Sequence, residues 1–369
     1  MSHATAAEKK TVVLLHGGRS SEHEISCVTT AGIVSAIDRD RFEVILVGLT
    51  KTGETVLLQE ADLSGYALDA AELPVVRDNG TRVLWPLSAE DRELRVMDAD
   101  GRVRPVAKID VVFPVLHGPH GEDGTVQGML ELIDMPYVGA GVLASALCMD
   151  KHFTKLVLAE SGIGVAPGRT VRRHQLDRNP EILSTLDAGL NYPLFVKPLR
   201  AGSSVGVSRV SAPEEIPAAL EIAFESDDAV LIESGIVGRE VEIAVLGGRN
   251  GQSARASAVA GEIVMNGEGF YDYEAKYLDN SRVDLRLPAE LSDAELTSLR
   301  ETAIAAFEAT GCEGLARVDF FLTENGPIVN EVNTLPGFTP FSMYPNLWEA
   351  SGLSYPDLIT ELIELALER

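Results

Sequence analysis

The sequence predicts an α/β protein, α+β when the whole chain is taken together, with two or three domains. Strands alternate with helices through the first third. A second strand–helix segment follows, and then alternating-pattern strands precede a closing helix. At 369 residues the chain is long enough for cores of that number, and 45% hydrophobic residues describe a folded protein.

Residues 11–18, Thr-Val-Val-Leu-Leu-His-Gly-Gly, read as a buried strand running into glycines. A helix is expected from near Ser21, where Ser21 and Glu24 have the spacing of a capping box. This order resembles the opening of a Rossmann unit, but no third glycine stands at dinucleotide spacing. Strands over 42–49 and 109–116 complete a small Rossmann-like parallel domain, and the charged insert 50–108 reads as surface strands and loops. Glu22, in the first helical turn, complements the helix dipole on the plainest reading. Residues 117–124 pack three glycines and two histidines after a strand, where open α/β sheets bind ligands. For His117 or His120 alone a structural role is the ordinary one.

A helix is expected over 151–162 with Asp150 as its N-cap. Residues 192–198 form a strand ending in Lys197, and the Gly/Ser turn 200–208 gathers N–H groups and hydroxyls into a nest suited to phosphate oxygens. It is not a Walker loop, because the lysine precedes the glycines; a bare hairpin is the alternative. A helix over 213–225 and a strand over 229–233 close this segment. Antiparallel-looking strands follow at 239–246 and 256–265. The Gly- and Tyr-rich stretch 266–281 reads as a lid or as a solvated linker. An amphipathic helix over 292–310 is ended by Gly311. A closing helix begins at Tyr355.

Residues 315–337 form a hairpin around Glu324, Asn325 and Gly326. Centred on Asn325, the loop sets Asp319 opposite Glu331 and Arg317 opposite Asn333. Facing carboxylates repel unless a cation lies between them, and oxygen ligands with few carboxylates suit Mg²⁺ that also holds phosphate. A polar face turned to water accounts for the same pattern.

A net charge of -25 argues against nucleic acid as a partner. No apolar run approaches the roughly 20 residues of a membrane span, and residues 1–10 lack the apolar core of a signal peptide. Cys27, Cys148 and Cys312 are scattered without metal-ligand spacing, as in a reduced, cytoplasmic protein.

Taken together, these blocks resemble the D-alanine–D-alanine ligases of the ATP-grasp superfamily over nearly the whole chain from Val12. They are Gly17-Gly-Arg-Ser-Ser-Glu22, His117-Gly-Pro-His-Gly-Glu-Asp-Gly124, Lys197-Pro-Leu-Arg-Ala-Gly-Ser-Ser-Val-Gly206, Phe270-Tyr-Asp-Tyr-Glu-Ala-Lys-Tyr277, Arg317-Val-Asp319 and Asn330-Glu-Val-Asn-Thr-Leu-Pro-Gly-Phe-Thr339. The resemblance implies three domains: a Rossmann-like one over 10–139, a central ATP-grasp subdomain over 140–232 and a C-terminal one over 233–369 that carries the lid. It implies ATP and two D-alanines as substrates, an acyl-phosphate intermediate, a role in peptidoglycan precursor synthesis, and a homodimer.

By the same resemblance Lys151, Lys197, Ser203, Ser204 and Lys276 surround the nucleotide, with Glu233 and Glu240 at adenine and ribose. Asp319, Glu331 and Asn333 hold two Mg²⁺ ions, for which Mn²⁺ can substitute. Glu22 meets the first ammonium and forms a hydrogen-bonded set with Ser203 and Tyr277. Arg317 and the Gly337 N–H face the oxyanion. Ser342 and Met343 clamp the second carboxylate, and His117 lies in the substrate site. Tyr277, where ester-forming relatives commonly carry Phe, favours a dipeptide product. A D-Ala–D-Ser or D-Ala–D-lactate ligase and a non-catalytic nucleotide binder are the competing readings; the filled positions of Arg317 and Asn333 disfavour the binder.

Overall fold

The computed structural model describes residues 9–67, 73–202, 204–265 and 283–369. The opening strand, β1 (Lys10–Gly17), is buried from Thr11 onward because both of its faces are covered. It pairs in parallel with β2 (Phe42–Leu49), which takes β3 (Thr55–Leu58) antiparallel on its other edge. The insert supplies a separate three-stranded sheet of β4 (Arg82–Leu84), β5 (Glu93–Met97) and β6 (Val103–Lys108). The chain then returns as β7 (Val111–Val115) in parallel beside β1, giving the order β3-β2-β1-β7.

The helix His23–Ala36 follows β1, but its start differs from the expected capping box. Glu22 is the N-cap, and among the described residues no side-chain bond caps this end. Glu24 forms an ion pair with Lys51 instead, and the Ser20 hydroxyl accepts the Glu22 N–H at 3.2 Å. The acid that the box requires is thus engaged elsewhere.

The middle sheet is antiparallel throughout, in the order β10-β9-β11-β8: β8 (Gly168–Arg172), β9 (Leu194–Pro198), β10 (Ser208–Val210) and β11 (Ala229–Ser234). The helix Ile216–Phe224 covers one face through Leu220 and Ala223, packed against Val196 and Ile232. The helix Lys151–Glu160 precedes this sheet, and its N-cap Asp150 accepts the N–H groups of His152 and Phe153, as expected. Its core residue Leu158 nevertheless packs with Val241 and Val318 of the next sheet. This helix therefore bridges the two sheets.

The last sheet comprises β12 (Arg239–Leu246), β13 (Arg255–Ala256), β14 (Gly261–Met265), β15 (Val283–Arg286), β16 (Leu315–Thr323) and β17 (Gly326–Asn333), with β16 lying between β12 and the edge strand β17. The expected lid, 266–281, lies outside the described residues. The helix Asp293–Ala309 buries Leu299, Ala303 and Phe307 on this sheet. The helices Met343–Ala350 and Tyr355–Leu367 join the last sheet to the first: the Tyr344 hydroxyl donates to the Val245 carbonyl of β12 at 2.9 Å, and Leu358 and Leu362 share one core with Leu14, Ile33 and Phe113 and with Leu246 and Leu315.

The hairpin reaches its expected register by a different route. Thr323 pairs with Gly326, so the turn contains only Glu324 and Asn325 and the strands start out of the expected phase. A β-bulge restores it: Phe320 pairs with Val329 and Asp319 with Glu331, leaving Asn330 as the extra residue. Arg317 then lies opposite Asn333. The bulge also keeps Val329 and Val332 in the core while Asn330, Glu331 and Asn333 face a cleft.

Candidate active site

A cleft of about 330 Å³ opens where the three large sheets meet, and each contributes charged groups to its wall. From the last sheet, three neighbouring strands place acids side by side, because Glu242 of β12 pairs with Asp319 of β16, which pairs with Glu331 of β17. Like charges so arranged would repel. Arg317 holds them together: its guanidinium grips Asp319 through two bonds of 2.7 Å and approaches Glu242 at 3.3 Å. Asn333 donates to Asp319 Oδ2 at 3.0 Å. Burial works against the charge on Arg317, but Asp319 and Glu242 more than offset it and raise its pKa further.

The middle sheet supplies a buried cluster of mixed sign. Glu233 on β11 pairs with Lys197 on β9 and with Lys155, 2.8 Å away, from the helix Lys151–Glu160. Burial alone would raise the Glu233 pKa, yet Lys197 and Lys155 hold it down to about 2. Gly168 lies close opposite: a methyl there would stand 3.1 Å from the Glu233 Cβ, a tight contact. Lys151 heads the same helix and donates to the Ala201 carbonyl at 2.8 Å, at the start of the Gly/Ser turn. Arg200 anchors that turn by a side-chain and backbone grip on Asp227. Ser204 and Gly206 take left-handed conformations, with φ of 57° and 74°, which suits a nest of N–H groups.

The first sheet brings Glu22 to the opposite wall. Its carboxylate lies against two glycines from separate loops: added methyls on Gly118 and Gly202 would stand 2.9 and 3.3 Å from Glu22 Oε2. Glu22 is thereby wedged between the loop after β7 and the phosphate-type turn. His117 is buried beside it, with Nδ1 3.2 Å from the Leu335 carbonyl and 3.6 Å from Glu122. Burial disfavours its protonation, but Glu122, Glu22 and the Leu335 carbonyl together raise its pKa.

A profile described as the D-ala D-ala ligase N-terminus matches residues 11–140, and one described as the D-ala D-ala ligase C-terminus matches residues 157–364. The chain belongs to the D-alanine–D-alanine ligase family. It is 50% identical over 364 residues to a D-alanine–D-alanine ligase of Arthrobacter sp. (strain FB24), covering 98% of this chain and 95% of the relative. Among solved structures it is similar to the VanG D-Ala:D-Ser ligase from Enterococcus faecalis, with a TM-score of 0.82 and 34% identity over 97% of this chain and 100% of that one. The D-alanine–D-alanine ligase from Coxiella burnetii gives a TM-score of 0.81 and 35% identity over 98% and 95%. The fold is the ATP-grasp fold of these ligases, and the chain is an ATP-dependent ligase.

Most residues singled out from the family's motifs line the one cleft: Glu22, His117, Lys151, Lys197, Ser204 and Glu233 on one side; Glu240, Arg317, Asp319, Glu331, Asn333 and Gly337 on the other. Among the described residues forming that wall, Ser342 and Met343 are not found. Ser342 caps the helix Met343–Ala350, and its hydroxyl turns back to accept the Thr339 N–H at 3.0 Å, behind Gly337. Ser203, Lys276 and Tyr277 lie outside the described residues. Two participants were missed from sequence, Lys155 and Glu242. Lys155 follows Lys151 by four positions, hence on one helix face, and Glu242 follows Glu240 by two, hence on one strand face. Those spacings were the available signals.

Proposed function

We propose that the chain joins two D-alanines into D-alanyl-D-alanine at the expense of ATP, for peptidoglycan precursor synthesis. The observation that carries this reading is the meeting of Lys197 and Glu233, the Arg317–Asp319–Glu331–Asn333 face and Glu22 in a single cleft, each from a different sheet. In this reading Lys151 and Lys197, with Ser203, Ser204 and Lys276, bind the phosphates, while Glu233 and Glu240 receive adenine and ribose. Glu22 pairs with the ammonium of the first D-alanine, placing that amino acid's own carboxylate for attack on the γ-phosphate, so that ADP leaves and an acyl phosphate forms. The second amine, having lost its proton, then attacks the acyl carbon; Arg317 with the Gly337 N–H stabilises the oxyanion of the tetrahedral intermediate, which collapses to the amide as inorganic phosphate leaves. His117 completes the amino-acid site and Tyr277 ties the lid to Glu22; for Ser342 and Met343 to clamp the second carboxylate, the Ser342 hydroxyl would have to exchange its bond with the Thr339 N–H for one to the substrate.

Two carboxylates and an amide oxygen fit Mg²⁺, which keeps sites open for phosphate oxygens and water. Asp319, Glu331 and Asn333 would hold it, and when bound it offsets charge on the phosphate oxygens.

We assign the chain to three working bodies, 10–139, 140–232 and 233–369, although β11 spans the second boundary. We also propose a cytoplasmic homodimer. Cys27, Cys148 and Cys312 are free thiols, and among the described residues no helix is long and apolar enough to cross a membrane.

Coupled detection of ADP tests the reaction. D-alanine alone should release ADP in step with dipeptide, and added D-lactate should not increase it. Preference for D-serine as second substrate would move the chain to the other class of ligase. No ADP with any acceptor would leave a nucleotide binder.

A further inference from the structure

Glu233 is held by two lysines, and they are not equivalent. Lys197 lines the cleft beside it, on the strand that leads into the Gly/Ser turn. Lys155 is 9% exposed and, among the described residues, is not part of the cleft wall; it reaches Glu233 from behind. The Lys155–Glu233 contact is a close, buried ion pair at 2.8 Å to Oε2, while Lys197 meets Oε1. The carboxylate is therefore held by one cation on each oxygen, and each oxygen retains a further lone pair with which to accept. Its other cation, Lys197, is the one the phosphates of ATP would draw away. If Lys197 were the sole partner, Glu233 would either follow it or remain as an uncompensated buried charge, which is strongly unfavourable.

We propose that Lys155 is a positioning residue for base recognition: it retains Glu233 at the adenine edge when Lys197 is surrendered to the phosphates. The inference rests on the ligase reading and on Glu233 facing the adenine amino group. A carboxylate is an acceptor only. Held there, it accepts from the 6-amino group of adenine and repels the 6-oxo group of hypoxanthine. Lys155 thus sets the preference for adenine over oxopurine nucleotides without touching either.

The test compares ATP with ITP in steady-state turnover, and ADP with IDP in calorimetric binding. The parent should prefer the adenine nucleotide. Lys155→Met should reduce that preference by about tenfold or more, the size of a lost hydrogen bond to a charged group. The change should appear in KM rather than kcat, and Lys155→Arg should restore most of it. Equal losses with both nucleotides would reveal a merely structural lysine and overturn the proposal. Should Lys155→Met fail to fold, Lys155→Gln is read in the same way. Glu233→Gln separates the two levels. If it leaves the preference intact, the placement of Glu233 at adenine and the proposal fall together. If it abolishes the preference while the Lys155 variants do not, only the proposal falls.

Discussion

Arg317 has two tasks in the cleft, separable by measurement. Without nucleotide it neutralises Asp319 and Glu242, from a side chain 16% exposed. During reaction it would face an oxyanion. Arg317→Ala should lower kcat by about 10²–10³, the usual loss for one oxyanion donor, with a much smaller change in nucleotide affinity. It should also destabilise the metal-free protein by about 3 kcal/mol, since it leaves a largely buried acid pair without its cation. Added Mg²⁺ should recover more of the melting temperature in the variant than in the parent. Equal recovery would contradict the neutralising role. Glu233 allows a pH test. Its folded pKa is about 2, below the ordinary 4.5, so the unfolded chain takes up its proton first as pH falls. The stabilisation is present above about 4.5 and disappears toward 2, roughly 3 kcal/mol in all. Urea titrations should show Glu233→Gln weaker than the parent at pH 6, with the gap closing below pH 4. A gap independent of pH would remove Glu233 from the acid response.

At the scale of elements, local chemistry was legible where a single turn decides it. The helix expected from 292 does start there: Ser292 accepts the Glu295 N–H at 3.3 Å while Glu295 accepts the Ser292 N–H at 2.8 Å, a capping box that was not singled out in advance. Ser292→Ala should cost about 1 kcal/mol in urea unfolding and leave ligase activity unchanged. The apparent box at Ser21 failed because Glu24 has a tertiary partner, Lys51, that spacing along the chain does not reveal. The hairpin was read correctly at its functional end, with Asp319 against Glu331, although the turn is one residue shorter than expected. No local signal distinguishes a longer loop from a short loop plus a bulge, since both give the same phase beyond Asn330. Lys155 shows the complementary limit: its helical spacing from Lys151 was readable, but its partner on β11 was not.

At the scale of the whole molecule, a chain of net charge -25 binds a polyanion by concentrating cations locally. Lys151, Lys197 and Arg317 line the cleft, with Lys155 behind them. The family resemblance implied three domains, over 10–139, 140–232 and 233–369. The α/β alternation supported this for the first sheet, but the closing helices merge its core with Ala244, Leu246 and Leu315 of the last sheet. Amphipathicity says that a helix has a buried face, not which sheet receives it. Leu362→Ala should therefore destabilise by about 2–5 kcal/mol through a cavity beneath the first sheet. Hydrogen exchange should rise in β1 and β7, far from the substitution in sequence. Exchange faster only within the last sheet would refute that packing.

That embrace of the first sheet by distant helices has a temporal side. During synthesis, β1, β2 and β7 emerge early, yet the apolar surface that completes their core is translated only afterwards. The amino-terminal region thus waits with an uncovered flank, a state that invites chaperones and aggregation. The helix that Glu22 heads packs its Ile33 into the core with Leu358 and Leu362, so a nascent chain lacks that support beneath the Glu22 wall until the downstream helices arrive.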